Sequence, residues 1–139
     1  MSVRVYVPVT AAALAELVEQ GRLPGPLDAH AVTDELRASW PDGDDEQWEY
    51  AALAAAADEA WQARGSGALR RHVVAADVAS VEPREDREGE VTGVRVVGDL
   101  VWKRVAAAHV DTDDLVSGPD PDGGPELAWF ATQEISTLL

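Results

Sequence analysis

The sequence predicts an α+β domain, in which a single mixed or antiparallel sheet is covered by helices and one domain spans residues 1–139. Three observations lead there. Valines at 3, 5, 7 and 9 alternate with other side chains, the two-residue period of a strand with one buried face. A run beginning at Asp44 repeats its apolar residues at helical spacing. The remaining apolar runs are short and separated by Gly, Pro and Asp, as strands joined by turns would be.

Taken in order, Val3–Val9 is the first strand, with Pro8 at its end or on an edge because proline cannot donate to a ladder. Thr10 is placed to cap a helix over Ala11–Gln20, with Leu14, Leu17 and Val18 as its inner stripe and Gly21 closing it. After the turn Leu23-Pro24-Gly25-Pro26, a short strand is expected at 29–32, and Thr33 caps a short helix ending near Trp40. Asp44, Asp45 and Glu46 sit at the positive end of the longest helix, which runs to about residue 64. Its expected inner face is Tyr50, Leu53, Ala54, Ala57, Ala60 and Trp61. Gly65-Ser66-Gly67 follows a helix and precedes a strand, so it reads as a helix stop and not as a phosphate loop.

A central strand is expected at 70–78, apolar on both faces. The charge-dense stretch 82–90 reads as a solvated loop, and 91–97 as a strand pairing with 70–78 in a hairpin. A helical turn at 99–104, a strand at 106–111, a mobile loop at 112–125 and a segment at 127–131 complete the chain. The apolar ending Leu138-Leu139 is expected to dock on the core.

Composition excludes several classes of function. There is no cysteine, so disulfides, thiolate metal sites and cysteine nucleophiles are ruled out, leaving His30, His72, His109 and carboxylates as the ligands a metal could use. The formal charge is −15, with about −7 on each of residues 1–50 and 111–139 and a balanced middle. Such a field repels nucleic-acid phosphates and anionic membranes and favours a basic protein partner. The first residues lack the basic start and apolar run of a signal peptide, and no stretch is long and apolar enough to span a bilayer. A cytoplasmic location is therefore expected. Ten arginines against the single Lys103, 24 alanines and no asparagine are the bias of a GC-rich genome.

Candidate chemistry centres on His109 and Asp111, which would share one face of a strand and could form a general base or half a metal site. His72, Asp77 and Glu134 are the groups that could converge with them. Asp77 is the odd acid, lying in an apolar strand; marking the strand's end would explain it. Asp120, Asp122 and Glu126 fail the calcium-loop pattern in each register tried, since Leu115 or Pro125 falls where a ligand or glycine is needed. Ser39, Ser66, Ser80 and Ser117 lack the nucleophile elbow, and no cofactor fingerprint is present, so no cofactor is expected. Trp129, Phe130, Gln133 and Glu134 combine aromatic anchors with polar groups and could meet a partner, although core closure would use the same aromatics.

Several stretches together resemble a small actinobacterial family that carries a domain of unknown function. They are Arg4-Val5-Tyr6-Val7-Pro8, Ala31-Val32-Thr33 with Leu36, Glu49-Tyr50-Ala51-Ala52, and the run from Arg71 to Val78. Ala108-His109-Val110-Asp111 and the ending from Trp129 to Ile135 with Leu138-Leu139 complete the set. The resemblance implies no activity, cofactor or catalytic residue. The expected function is thus a non-catalytic interaction module, with an enzyme or metal-binding protein using His109 and Asp111 as the alternative.

Overall fold

The computed structural model describes residues 2–84, 86, 90–120 and 127–139. The first strand, β1 (Val3–Val9), lies at the centre of a seven-stranded sheet that is antiparallel throughout. Its neighbours are β3 (Leu27–Ala31) on one side and β4 (His72–Val78) on the other. Beyond β3 come β6 (Gly93–Val96) and the edge strand β5 (Val81–Pro83); beyond β4 come β8 (Val105–Val110) and the edge strand β9 (Ala128–Ala131). A separate two-stranded ribbon pairs β2 (Arg22–Leu23) with β7 (Leu100–Val101), which the sequence reading did not foresee.

Alternation of side chains gives the sheet two different faces. Val5, Val7, Val9, Val74, Ala76 and Val78 point toward helix α1 (Ala11–Gln20), whose Leu14 and Leu17 are buried against them. Local chemistry sets that helix as expected: Thr10 accepts from the Ala13 amide at 3.0 Å, and Gly21 closes the helix at φ 75°. Leu23, Leu100 and Ile135 complete the same layer, so the ribbon and the 3-10 segment Thr132–Leu138 pack beside α1. Of the apolar ending, Leu138 packs on this layer as expected, whereas Leu139 is 56% exposed.

The opposite face carries Tyr6, Val73, Ala75 and Ala107, and α3 (Asp45–Gln62) lies across it. The short helix α2 (Asp34–Ser39), capped by Thr33, leads into α3. The inner stripe of α3 is Ala52, Ala56, Ala57, Glu59 and Ala60; Tyr50 is 49% exposed, and Trp61 is only half-buried. The expected stripe was therefore rotated. Spacing alone groups the large side chains, but a helix held this close to a sheet favours small side chains on its inner line, with Glu59 the one long group there.

The expected hairpin between 70–78 and 91–97 does not form. β4 pairs along seven residues with β1 and on its other side with β8, whereas β6 lies between β3 and β5. Charge favours the choice: Arg95 of β6 faces Asp28 on β3 and Glu82 on β5, whereas the one acid of β4, Asp77, faces Arg4 of β1. The stretch 82–90 is also more than a solvated loop. It begins inside β5, and Arg84 is buried; Glu85 and 87–89 lie outside the described residues. Of the expected loop at 112–125, residues 112–120 are irregular and 121–126 lie outside the described residues.

Candidate functional site

The face under α3 holds two polar groups of quite different character. The first is a cleft of about 680 Å³ at the N-terminal half of the helix. Its floor comes from the sheet: Tyr6 of β1 and His109 of β8, with ring centroids 6.2 Å apart and planes inclined at 56°. Its wall comes from α3, which contributes Glu46, Gln47, Glu49, Tyr50, Ala51 and Leu53. Trp40, from the turn before α3, is at the rim and 40% exposed.

That turn is firmly made. Asp44 and Gln47 form a reciprocal capping box, with the Gln47 amide donating to Asp44 Oδ1 at 2.8 Å and the Asp44 amide to Gln47 Oε1 at 3.0 Å. Trp48 Nε1 donates to the Trp40 carbonyl at 3.1 Å, and Gly43 lets the indole come near, since a Cβ there would sit 2.7 Å from that nitrogen. The cleft is thus framed by fixed aromatics. Among the described residues no lysine or arginine lines it.

Electrostatics reinforce the acidic character. Burial, then the neighbouring Glu49 carboxylate, raises the Tyr6 phenol above its ordinary value of 10.0, so it stays neutral. Burial, then the nearby Arg4 guanidinium, lowers His109 below its ordinary value of 6.5, so near neutrality it adds no positive charge. Among the described residues neither ring nitrogen of His109 has a hydrogen-bond partner, and no buried polar side-chain atom is left unsatisfied, so the half-buried imidazole opens on the cleft. Arg4 is itself held by Asp77, at 2.7 and 3.1 Å.

This pairing also explains the odd acid of β4. The Arg4 hydrogen bond draws Asp77 below its ordinary 3.8, so the pair stabilises the fold above that value and loses its contribution as acid protonates Asp77. Both side chains are about 40% exposed, at 42% and 39%, and water screens them. Asp77→Asn is expected to cost about 1 kcal/mol or less at neutral pH, with the difference from the parent shrinking as acid protonates Asp77 below its ordinary 3.8, as read by urea unfolding.

The five residues expected to converge are divided. His109 and Asp77 share the α3 face, linked through Arg4. His72 pairs with Val9 and Val110, both in the α1-side core, and so faces the other way. Asp111 lies beyond the end of β8 and is 4% exposed. Its Oδ2 accepts from the Arg71 amide at 2.7 Å and from Arg71 Nε at 2.9 Å, and its Oδ1 accepts from Arg71 Nη2 at 3.0 Å. Glu134 accepts from the Ala131 amide at 3.1 Å, capping the final segment. The expected His109–Asp111 dyad is therefore corrected: Asp111 fastens the end of β8 to the start of β4 through Arg71.

Trp129, Phe130, Gln133 and Glu134 do not form one patch. Trp129 is 61% exposed opposite His109, whereas Phe130 packs toward the α1-side core and Gln133 is exposed on the closing segment. Asp122 and Glu126 lie outside the described residues, and among the described residues no three His, Asp or Glu gather as a metal site.

The second polar group is buried at the other half of α3, and the sequence reading missed it. His30 of β3 is 0% exposed. Its Nδ1 lies 2.9 Å from Thr92 Oγ1 and its Nε2 2.8 Å from Glu59 Oε1. Arg84 donates Nη1 to Glu59 Oε1 at 2.8 Å and Nη2 to Glu59 Oε2 at 3.0 Å, with Asp86 also 2.9 Å from Nη2. Those partners hold Arg84 above its ordinary value despite its burial. The only advance signal was Glu59 recurring with Ala52 and Ala56 on one helical line. With every polar atom engaged, this network clamps α3 to the sheet, whereas the cleft leaves groups available.

Among known proteins, a family model described as "Family of unknown function (DUF6912)" matches residues 3–139. No curated protein and no solved structure matches.

Proposed function

The chain belongs to this family of unknown function, so the cleft is the basis for a functional reading, and we propose that the protein is a non-catalytic module that binds a basic segment of a partner protein. One observation supports this above all. A cleft framed by Tyr6, Trp40 and Tyr50 carries Glu46 and Glu49 and, among the described residues, is lined by no lysine or arginine. Aromatic faces and carboxylates together suit an ammonium or guanidinium group, which gains from the ring quadrupoles and from charge. The overall charge of −15 would steer such a partner and disfavour nucleic acid. The alternative of an enzyme using His109 with Asp111 has less support, because Arg71 occupies both Asp111 oxygens. No helix is long and apolar enough to cross a membrane among the described residues. A cytoplasmic setting and an actinobacterial, GC-rich origin belong to the same proposal, supported by the cysteine-free, alanine- and arginine-rich composition.

Calorimetric titration with an oligolysine peptide tests the reading, with oligoglutamate as the control. Oligolysine is expected to bind at low salt and weaken as salt screens the field. Glu49→Gln should raise Kd roughly fivefold, the equivalent of about 1 kcal/mol for one charge pair. Failure of oligolysine to bind, or equal binding of both peptides, would refute the proposal.

A further inference from the structure

Occupancy of this cleft depends on one proton. We propose that His109 accepts a hydrogen bond from the bound ammonium or guanidinium group only as neutral imidazole, so that acidification expels the basic segment. The inference rests on the reading of the cleft given above and adds its regulation.

The geometry supports it in three ways. First, His109 lines the cleft, and neither ring nitrogen has a hydrogen-bond partner among the described residues. A neutral imidazole always has one nitrogen able to accept, whereas the protonated ring has two donors and no acceptor. Second, the cation beside it, Arg4, is engaged by Asp77 and does not line the cleft. β1 presents Arg4 and Tyr6, α3 presents Glu46, Glu49 and Tyr50, and β4 presents Asp77, which holds Arg4. The residues directly opposite His109, Val73 on β4 and Trp129 on β9, carry no charge. Third, a ligand cation seated between His109 and Glu49 would meet an imidazolium as a like charge at close range in a partly dehydrated cleft, where repulsion is strong.

The same surroundings place the change in a useful range. Burial and Arg4 already hold His109 below its ordinary 6.5, so the neutral form dominates near pH 7 and protonation begins under mild acid. The sign is fixed: affinity is full above the His109 pKa and falls by up to about tenfold for each pH unit below it.

The experiment measures the Kd of an oligolysine peptide at pH ~7.5 and ~5.0 for the parent protein and for His109→Asn, at constant ionic strength. Glu46 and Glu49 are present in both proteins, so comparing the pH ratio of Kd between the two isolates the histidine. The expected result is a larger ratio in the parent than in His109→Asn, by up to about tenfold for each pH unit that the lower pH lies below the His109 pKa. A second measurement avoids dependence on the variant: the His109 ring-proton titration, followed by NMR, should shift to lower pH when oligolysine saturates the protein. Oligolysine binding with the same pH ratio in both proteins and an unmoved His109 titration would overturn the inference while leaving the binding reading intact. Absence of oligolysine binding at pH ~7.5 in the parent would overturn both.

Discussion

Arg84→Ala is expected to lower the unfolding free energy by about 3–5 kcal/mol, because it removes the buried guanidinium that donates to both oxygens of the Glu59 carboxylate. Arg84 and Glu59 are each less than a tenth exposed, and the guanidinium donates to both carboxylate oxygens. Removing one member of a buried pair costs far more than the pair contributes, since the remaining charge has been taken from water without compensation. The double substitution Arg84→Met with Glu59→Leu should recover much of the loss, as both charges then leave together. Guanidinium unfolding of the single and double variants reads the effect directly. A single-variant loss below about 1 kcal/mol would mean that water reaches Glu59 and that the clamp is no more than a surface pair.

The second large effect separates stability from binding. Asp111→Ala removes the acceptor for the Arg71 amide and for two of its guanidinium donors. Arg71 is 6% exposed, so its charge is left buried without this carboxylate, and a loss of about 3–5 kcal/mol is expected. Asp111 does not line the cleft, so the oligolysine affinity of the folded protein should be unchanged. If affinity falls in step with an unperturbed stability, Asp111 acts on ligand and the enzyme-like pairing with His109 must be reconsidered.

Local features of the fold were legible in the sequence, and long-range ones were not. Thr10, Gly21, Thr33 and Asp44 announced helix ends because each acts on amides or carbonyls within four residues. The alternation in β1 was visible for the same reason. Strand pairing depends on partners far apart in the chain, and nothing near 91–97 reveals that Arg95 will meet Asp28 and Glu82. The face of α3 was misread because spacing ranks residues by hydrophobicity, whereas approach distance selects them by size. Ala57 and Ala60 of the expected face are buried, but Ala52 and Ala56 share the contact in place of the larger Tyr50 and Trp61.

The candidate site was half legible. His109 was singled out correctly as a residue with chemistry, but its neighbours are Tyr6, Arg4 and Glu49, drawn from 60 or more positions away. Asp111 was its neighbour by number only. His30 and Glu59 looked ordinary, one a histidine within a short expected strand and the other an acid on an alanine-rich helix. Their significance depends on Arg84 reaching both carboxylate oxygens from the far side of the sheet's edge strand.

The alanine contact under α3 has a mechanical consequence. The helix is 18 residues long, about 27 Å from end to end, and rests on the sheet through side chains that have no atoms to spare. A bulkier group at 52, 56 or 57 would act as a wedge beneath a stiff rod. One end of that rod walls the cleft and the other is pinned through Glu59, so prising up the middle must disturb both. Binding and anchorage are opposite ends of one lever.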